Sequence, residues 1–213
     1  AKYPPFCRLG NRYFALVCVC DVSRSTGKNG SVIELVLISE FSITSVVLLK
    51  VPSVLRHEYV VNSVAWSRCG QFLAAGDNKN LVFRRSNGSE LFTKQHSNVV
   101  TSVCFSADSR RVLSACADHV VRIFDVESGN ESMTLRGHSG SVRSVSYSND
   151  GTLIASCSHD GSIRLWNANT GAEIWKFDGH GGWVLCVDIN HDGTRIATSC
   201  LNDGSLRVFS VQE

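Results

Sequence analysis

Proline, methionine and net charge are all scarce in this chain. Three prolines and one methionine occur in 213 residues, and the formal net charge is only +2, with a pI near 8.2. So balanced a charge lacks the electrostatic footprint expected of a protein that binds nucleic acid directly. Long uninterrupted apolar runs are missing too. The stretch 31–55 is broken by Glu34, Glu40 and Lys50, so it is no membrane span. The run Tyr13–Cys20, which follows Arg8 and Arg12, lacks a small-residue cleavage site and reads as a strand rather than a secretory leader. No window has a helical period. The nine cysteines include no Cys-x-x-Cys pair. Their odd number and spacing argue against a disulfide framework and for a reducing compartment, cytoplasmic or nuclear.

What the chain has instead is repetition. Histidines stand at 57, 96, 138 and 180, at steps of 39, 42 and 42 residues. Seven residues after each comes a valine: Val64, Val103, Val145 and Val187. Twelve after each comes a turn: Cys69-Gly70, Asp108-Ser109, Asp150-Gly151 and Asp192-Gly193. Asp-Gly between alternating apolar runs is a hairpin signal, because glycine takes the positive φ of a tight turn. The unit from His138 holds four strand-like segments, around 142–147, 153–157, 162–166 and 173–177. They are separated by turns at Asp150-Gly151, Asp160-Gly161 and Asn169-Thr170-Gly171. A period near forty with four short strands predicts an all-β chain of four-stranded antiparallel propeller blades. Cys116, Cys157 and Cys200 fall at matching places in the second strands, as small core residues.

Gly137-His138 and Gly179-His180 open their units, and Phe83-Arg84, Phe124-Asp125, Trp166-Asn167 and Phe209-Ser210 close theirs. These features resemble the WD-repeat family, whose units run from Gly-His to Trp-Asp. No unit has the literal closing dipeptide. The resemblance covers 57–213, and 1–56 only by continuity. It implies a buried tetrad in each blade: a tryptophan indole, a Ser/Thr hydroxyl, the histidine and a turn aspartate. One unit has all four, in His138, Ser156, Asp160 and Trp166. Its neighbours keep His96, Ser114 and Asp118 with Phe124, and His180, Thr198 and Asp203 with Phe209 and one extra residue before the aspartate. The first unit has His57 and Phe83, but Ala75 where the hydroxyl belongs and a turn two residues shorter.

The expected organisation is a single domain over 1–213. Residues 1–55 form a degenerate blade with strands near 13–20, 31–39 and 43–51, a stub around 5–8, and an enlarged polar connection at 21–30. Blades follow over 57–95, 96–137 and 138–179, and 180–213 is a blade without its fourth strand. This is about five blades' worth of sequence. Three alternatives stay open: a fragment of a larger propeller, an open edge capped by a partner or a second copy, and closure with fewer blades.

Candidate chemistry is sparse. His138, Asp160 and Ser156 have the residue types of a catalytic triad, but a nucleophile needs an exposed, strained turn rather than the middle of a buried strand. The four histidines belong to different blades and do not converge on one ion, so neither a metal nor another cofactor is expected. Ser25-Thr26-Gly27-Lys28 lacks the first glycine of a phosphate-binding loop, and Asn29 replaces its Ser/Thr. The chain is therefore expected to be no enzyme. In the family it resembles, the rim of fourth-to-first-strand loops and second-to-third-strand turns is the common partner-binding surface. The resemblance implies contact positions three and five residues after each histidine, and one before the turn aspartate. These are Val60 and Asn62; Val99, Thr101 and Ala117; Ser141, Arg143 and His159; Trp183, Leu185 and Asn202. Trp183 and Arg143, on neighbouring blades, are the best pair, since hot spots are enriched in Trp and Arg. His159 beside them is expected to make contact pH-sensitive near 6–7. The expected function is a scaffold that displays this rim to a protein or peptide, alone or within a multi-subunit complex. The alternative is a regulatory subunit of a chromatin- or RNA-associated complex.

Overall fold

The computed structural model describes residues 8–9, 12–13, 32–39, 42–50, 57 and 59–211. The chain divides into two compact units, Ala1–Arg56 and His57–Glu213. In the first, β1 (Arg8–Leu9) pairs antiparallel with β2 (Arg12–Tyr13), and β3 (Val32–Ser39) with β4 (Ser42–Lys50). The second and third expected strands are thus present within a residue or so at each end. They pair with each other, and among the described residues β1–β2 and β3–β4 are two separate two-stranded sheets. The stub at 5–7, most of the strand expected at 13–20, the connection at 21–30 and the Ser25–Lys28 stretch lie outside the described residues.

The second unit holds four sheets in series. The first blade is β5 (Ser63–Trp66), β6 (Phe72–Gly76), β7 (Asn80–Arg85) and β8 (Glu90–Gln95). The second is β9 (Val100–Phe105), β10 (Arg111–Cys116), β11 (Val120–Asp125) and β12 (Glu131–Arg136). The third is β13 (Val142–Tyr147), β14 (Leu153–Ser158), β15 (Ser162–Asn167) and β16 (Glu173–Asp178). The fourth is β17 (Val184–Ile189), β18 (Arg195–Cys200) and β19 (Leu206–Ser210). Within each blade every strand pairs antiparallel with its neighbour in sequence, and the last sheet has three strands.

The first hairpin of every blade is built the same way. Ser67, Ser106 and Ser148 each accept, on the side-chain oxygen, the backbone N–H five residues on, and Asn190 does so through Oδ1, at 2.8–2.9 Å. The turn then needs a left-handed residue, which Gly70, Gly151 and Gly193 supply without strain and Ser109 supplies at φ 61°. Such side-chain clamps satisfy backbone donors that a tight turn leaves unpaired.

Apolar seams between blades make the core. Leu113, Val121, Ile123 and Leu135 of the second blade pack on Val142, Val145, Tyr147 and Ile154 of the third. Ala155, Ile163 and Leu165 meet Val184, Val187 and Ile196 at the next seam. Each such fully buried aliphatic side chain contributes about 1.5–3 kcal/mol. The middle strands β10 and β14 are buried almost throughout because both their faces lie in seams, whereas β16 is exposed. Cys116 and Cys200 lie two residues past the hydroxyl position, but Cys157 lies one past it, opposite Ser144 in the place of Ala115 and Ser199. The three therefore do not share one register as the spacing suggests, although all are buried.

The unit's two outer faces differ from its seams. Val64 is 51% exposed while Val103, Val145 and Val187 are at most 6% exposed, because within this unit no blade precedes β5. Leu206 is likewise 73% exposed on β19, which has no fourth strand beside it among the described residues.

Candidate functional site

The third blade places its four polar residues in one buried chain. The Trp166 indole N–H donates to Ser156 Oγ at 2.8 Å. His138 Nε2 lies 2.8 Å from the same oxygen, and His138 Nδ1 lies 3.0 Å from Asp160 Oδ2. An ionised Asp160 can only accept, so Nδ1 carries the proton and the Ser156 hydroxyl donates to Nε2. Asp160 also accepts the Ser139 N–H at 2.9 Å, and the Ser162 N–H and hydroxyl at 2.8 and 2.7 Å. Burial pushes its carboxyl up, but the bonds from His138, Ser162 and Ser139 outweigh that and hold it well below the usual carboxylate range. The loop 138–140 is thereby tied to the turn 159–161. A Cβ at Gly140 would stand 2.7 Å from the Asp160 backbone nitrogen, so that approach requires glycine.

The other blades keep parts of this chain. In the second, His96 Nε2 meets Ser114 Oγ at 2.8 Å, but Nδ1 turns to the Lys94 carbonyl at 3.2 Å. Asp118 has gone instead to Arg122, at 2.8 Å, and accepts the Ser97 hydroxyl at 2.5 Å. Burial raises that carboxyl, but Arg122 and Ser97 bring it down to about 2. One residue at this point differs between the two blades. Ser162 bonds both Asp160 and His138 in the third blade, and Val120 stands in its place in the second. The second blade thus lacks a hydroxyl between aspartate and histidine, and its aspartate pairs with the arginine of its own blade; in the fourth blade, which has Ser205 there, Asp203 also lies 3.3 Å from its arginine. The corresponding Arg164 pairs with Glu173 instead. His96, buried and facing Arg122, has a pKa below the ordinary imidazole value. In the fourth blade His180 Nε2 bonds Thr198 Oγ1 at 2.7 Å, but Nδ1 is 3.5 Å from Asp203. In the first, His57 Nδ1 is 3.4 Å from Asp77, a buried turn aspartate that the shortened turn hides from sequence comparison.

On the rim, Trp183 is 48% exposed and lies flat on His159 of the neighbouring blade, with ring centroids 4.3 Å apart and planes 13° apart. Its backbone is held by Asn202, whose Oδ1 accepts the Trp183 N–H at 2.9 Å, and by its own carbonyl, which accepts the Leu201 N–H. Arg143 is exposed and acts electrostatically on His159. Burial, and then Arg143, hold His159 below the ordinary imidazole pKa. The pH window expected near 6–7 therefore shifts lower. Leu185 and Ser141 are half-buried, and the Ser141 carbonyl accepts the His159 N–H. Two expected contact residues are engaged elsewhere, since Asn62 donates to the Val100 carbonyl at 3.1 Å and Thr101 to the Val142 carbonyl at 2.6 Å. Both polar groups tie one blade to the next. Of the remaining positions Val60 is exposed, and Val99 and Ala117 are half-buried and bonded to each other through their backbones.

A profile described as "WD domain, G-beta repeat" matches residues 50–83, 88–125, 129–167 and 171–210, well over half of the chain. The chain belongs to the WD-repeat family. Among solved structures, the WD40 repeats of RRP9 superpose with a TM-score of 0.70 at 19% identity, over 74% of this chain and 50% of that one. U3-55K gives the same values. The computationally designed Ika4 protein superposes with a TM-score of 0.67 at 21% identity, over 75% of this chain and 96% of its own. Among curated proteins, Periodic tryptophan protein 2 of Arabidopsis thaliana is 40% identical over 72 residues, 32% of this chain and 8% of that protein. At these identities the structures speak for the fold, and this WD-repeat chain spans about half of the first two and a small part of the curated relative.

WD-repeat domains are generally protein-interaction scaffolds without catalysis of their own. At the third blade's His138–Ser156–Asp160 set the hydroxyl is not free to act as a nucleophile. Ser156 is fully buried, with its hydroxyl engaged by Trp166 and His138. No substrate could reach it. Among the described residues no helix is long and apolar enough to cross a membrane.

Proposed function

We propose that this WD-repeat domain presents the rim formed by Trp183, His159 and Arg143 to a protein or peptide partner. The observation that carries the reading is the Trp183–His159 stack across two consecutive blades. A half-exposed indole is held flat by a neighbour that is itself fixed between Ser158 and the bonded Asp160. A rigid aromatic surface loses little conformational entropy on contact, and an adjacent guanidinium adds directional hydrogen bonding, the combination that recurs at interface hot spots. Leu185 and Asn202 border the pair. The mechanism is display: the tetrads and seams fix the loops, and binding free energy comes from the partner's fit to them.

The test compares equilibrium binding of a captured partner to the native chain and to three variants. Trp183→Ala is expected to cost about 2 kcal/mol or more, roughly a thirtyfold loss, with the fold intact by circular dichroism. Arg143→Glu should also weaken binding, whereas Lys176→Glu on the exposed outer strand β16 should not. Binding that survives both rim changes and is lost with Lys176→Glu would move the site to the blade edges.

A further inference from the structure

The fourth blade departs from the third at three places, and all three meet at one point. The second strand ends in Cys200 where the third blade has Ser158. The following turn, Leu201-Asn202-Asp203, is one residue longer than His159-Asp160. The histidine–aspartate contact lengthens from 3.0 to 3.5 Å. The first change brings in a thiol, and the other two accompany an opening between imidazole and carboxylate. Ligand atoms of His180, Cys200 and Asp203 all lie within 4.8 Å of one another.

We infer that His180 Nδ1, Cys200 Sγ and one Asp203 carboxylate oxygen form a binding site for a zinc ion, built within a single blade. Several observations carry this. At 3.5 Å the His180–Asp203 pair is too long for a good hydrogen bond. It is close to the spacing of about 3.3 Å that two ligands at about 2.0–2.1 Å adopt around a tetrahedral ion. The imidazole is already aimed: Thr198 Oγ1 holds Nε2 at 2.7 Å, and Nδ1 is turned to the Asp203 carboxylate at 3.5 Å, with Ser205 Oγ 3.4 Å away as the one weak contact an ion would replace. A hydrogen-bonded outer partner of this kind fixes the tautomer and orientation of a metal-bound histidine. The carboxylate is held as well, since its Oδ1 accepts the Ser205 N–H at 2.9 Å and the Ser205 hydroxyl at 2.6 Å. Arg207 Nη2 stands 3.3 Å from Oδ2, and its other terminal nitrogen donates to the Gly179 carbonyl, so the guanidinium has a second anchor if the ion takes Oδ2.

The sibling blades act as internal comparisons. The second has the thiol of Cys116 and the carboxylate of Asp118, but His96 Nδ1 points to the Lys94 carbonyl. The third has the histidine and the aspartate but a serine in the thiol position. Among the described residues only the fourth presents all three ligands. Nitrogen, thiolate and carboxylate donors together suit zinc, with a water completing four-coordination. On binding, the Cys200 thiol gives its proton to solvent, so the bound thiolate and carboxylate balance the charge of the ion. Asp203 is exposed, which gives the ion a way in from the surface. The histidines of different blades cannot converge, but this set uses only one of them.

The full chain, reduced and freed of metal, is titrated with Zn2+ against a chromophoric chelator, and separately with Co2+ as a spectroscopic probe. Cys200→Ser restores the residue that the third blade carries at that position, so it retains the fold, and Asp203→Asn supplies a second variant. Cys69→Ser, at an exposed thiol elsewhere, is the control. The native chain and Cys69→Ser are expected to bind Zn2+ with the same affinity at this site, and both ligand variants to bind it about 100-fold more weakly, at the upper end of what even outer-shell changes cost. The Co2+ complex should show a thiolate-to-metal charge-transfer band that Cys200→Ser lacks. Equal Zn2+ stoichiometry and affinity in the native chain and both variants, or an identical Co2+ spectrum without Cys200, overturns the assignment.

Discussion

The buried chain from Trp166 to Asp160 makes a quantitative prediction for Trp166→Phe. The indole N–H to Ser156 Oγ bond is 2.8 Å long, and both residues are almost wholly buried. Losing a neutral buried hydrogen bond costs about 0.5–1.5 kcal/mol. Removing part of the indole from the seam leaves a cavity that costs about another 1–2 kcal/mol. The expected total is about 1.5–3.5 kcal/mol, and a single variant cannot separate the two parts. A double-mutant cycle with Ser156→Ala can, because the cavity cost cancels and the coupling retains the pairwise hydrogen bond.

The cycle uses urea unfolding followed by far-ultraviolet circular dichroism, with amide exchange at Ile154 and Leu165 as the local readout. The Trp166–Ser156 coupling should be about 1 kcal/mol, the worth of one neutral hydrogen bond. The second blade supplies the control. Its Phe124 already lacks a donor while His96 still meets Ser114 at 2.8 Å, so a Phe124→Leu and Ser114→Ala cycle should show no hydrogen-bond coupling. Couplings that agree between the two blades within about 0.4 kcal/mol would refute the claim that the indole bond distinguishes the third blade.

Acid should weaken the fold in two stages. His96 has a lowered pKa in the folded state, so the unfolded chain takes up the proton first and stability falls as pH drops below about 6.5. Asp160, also lowered, contributes stability that is complete above the unfolded carboxylate value of about 4 and is lost as pH falls below it. Unfolding free energies from pH 7.5 to 3 should show both limbs, and His96→Gln should flatten the upper one; an unchanged slope in that variant would remove His96 as its cause. His119 holds φ 72° where the third and fourth blades have Gly161 and Gly204, so His119→Gly should stabilise the domain by about 1 kcal/mol, read as a rise in the urea midpoint.

The period of the histidines, the recurring turn and the alternation of apolar residues made the four-blade row legible, because each reports a local requirement that every blade must meet. The four tetrad residues were named through the resemblance to the WD-repeat family. Bond partners were not. Asp118 and Asp160 occupy equivalent places, yet one serves Arg122 and the other His138, with Val120 beside the first and Ser162 beside the second. Nothing in spacing ranks those two donors. Asp77 was hidden because a turn shortened by two residues breaks the count from the histidine. Asn62 and Thr101 matched contact positions by offset alone, whereas their side chains reach the adjacent blade's backbone. Offset fixes where a Cα lies on the rim but leaves open whether the polar group above it is free.

The complete tetrad and the aromatic pair occupy neighbouring ground, and their adjacency bears on function. His159 precedes Asp160, whose backbone N–H is taken by the Ser158 hydroxyl and whose carboxylate is bonded by His138, Ser139 and Ser162. The imidazole under Trp183 thus rides on a turn bonded from both sides. In the second blade the equivalent residue is Ala117, on a turn whose aspartate is drawn to its own arginine, and the third blade has Ser141 where the fourth has Trp183. A stacked pair needs both rings held in register, because a loose lower ring would let the upper one swing and forfeit the pre-organisation that gives an anchor its value. The blade that kept all four tetrad residues is the one whose turn supports the exposed tryptophan.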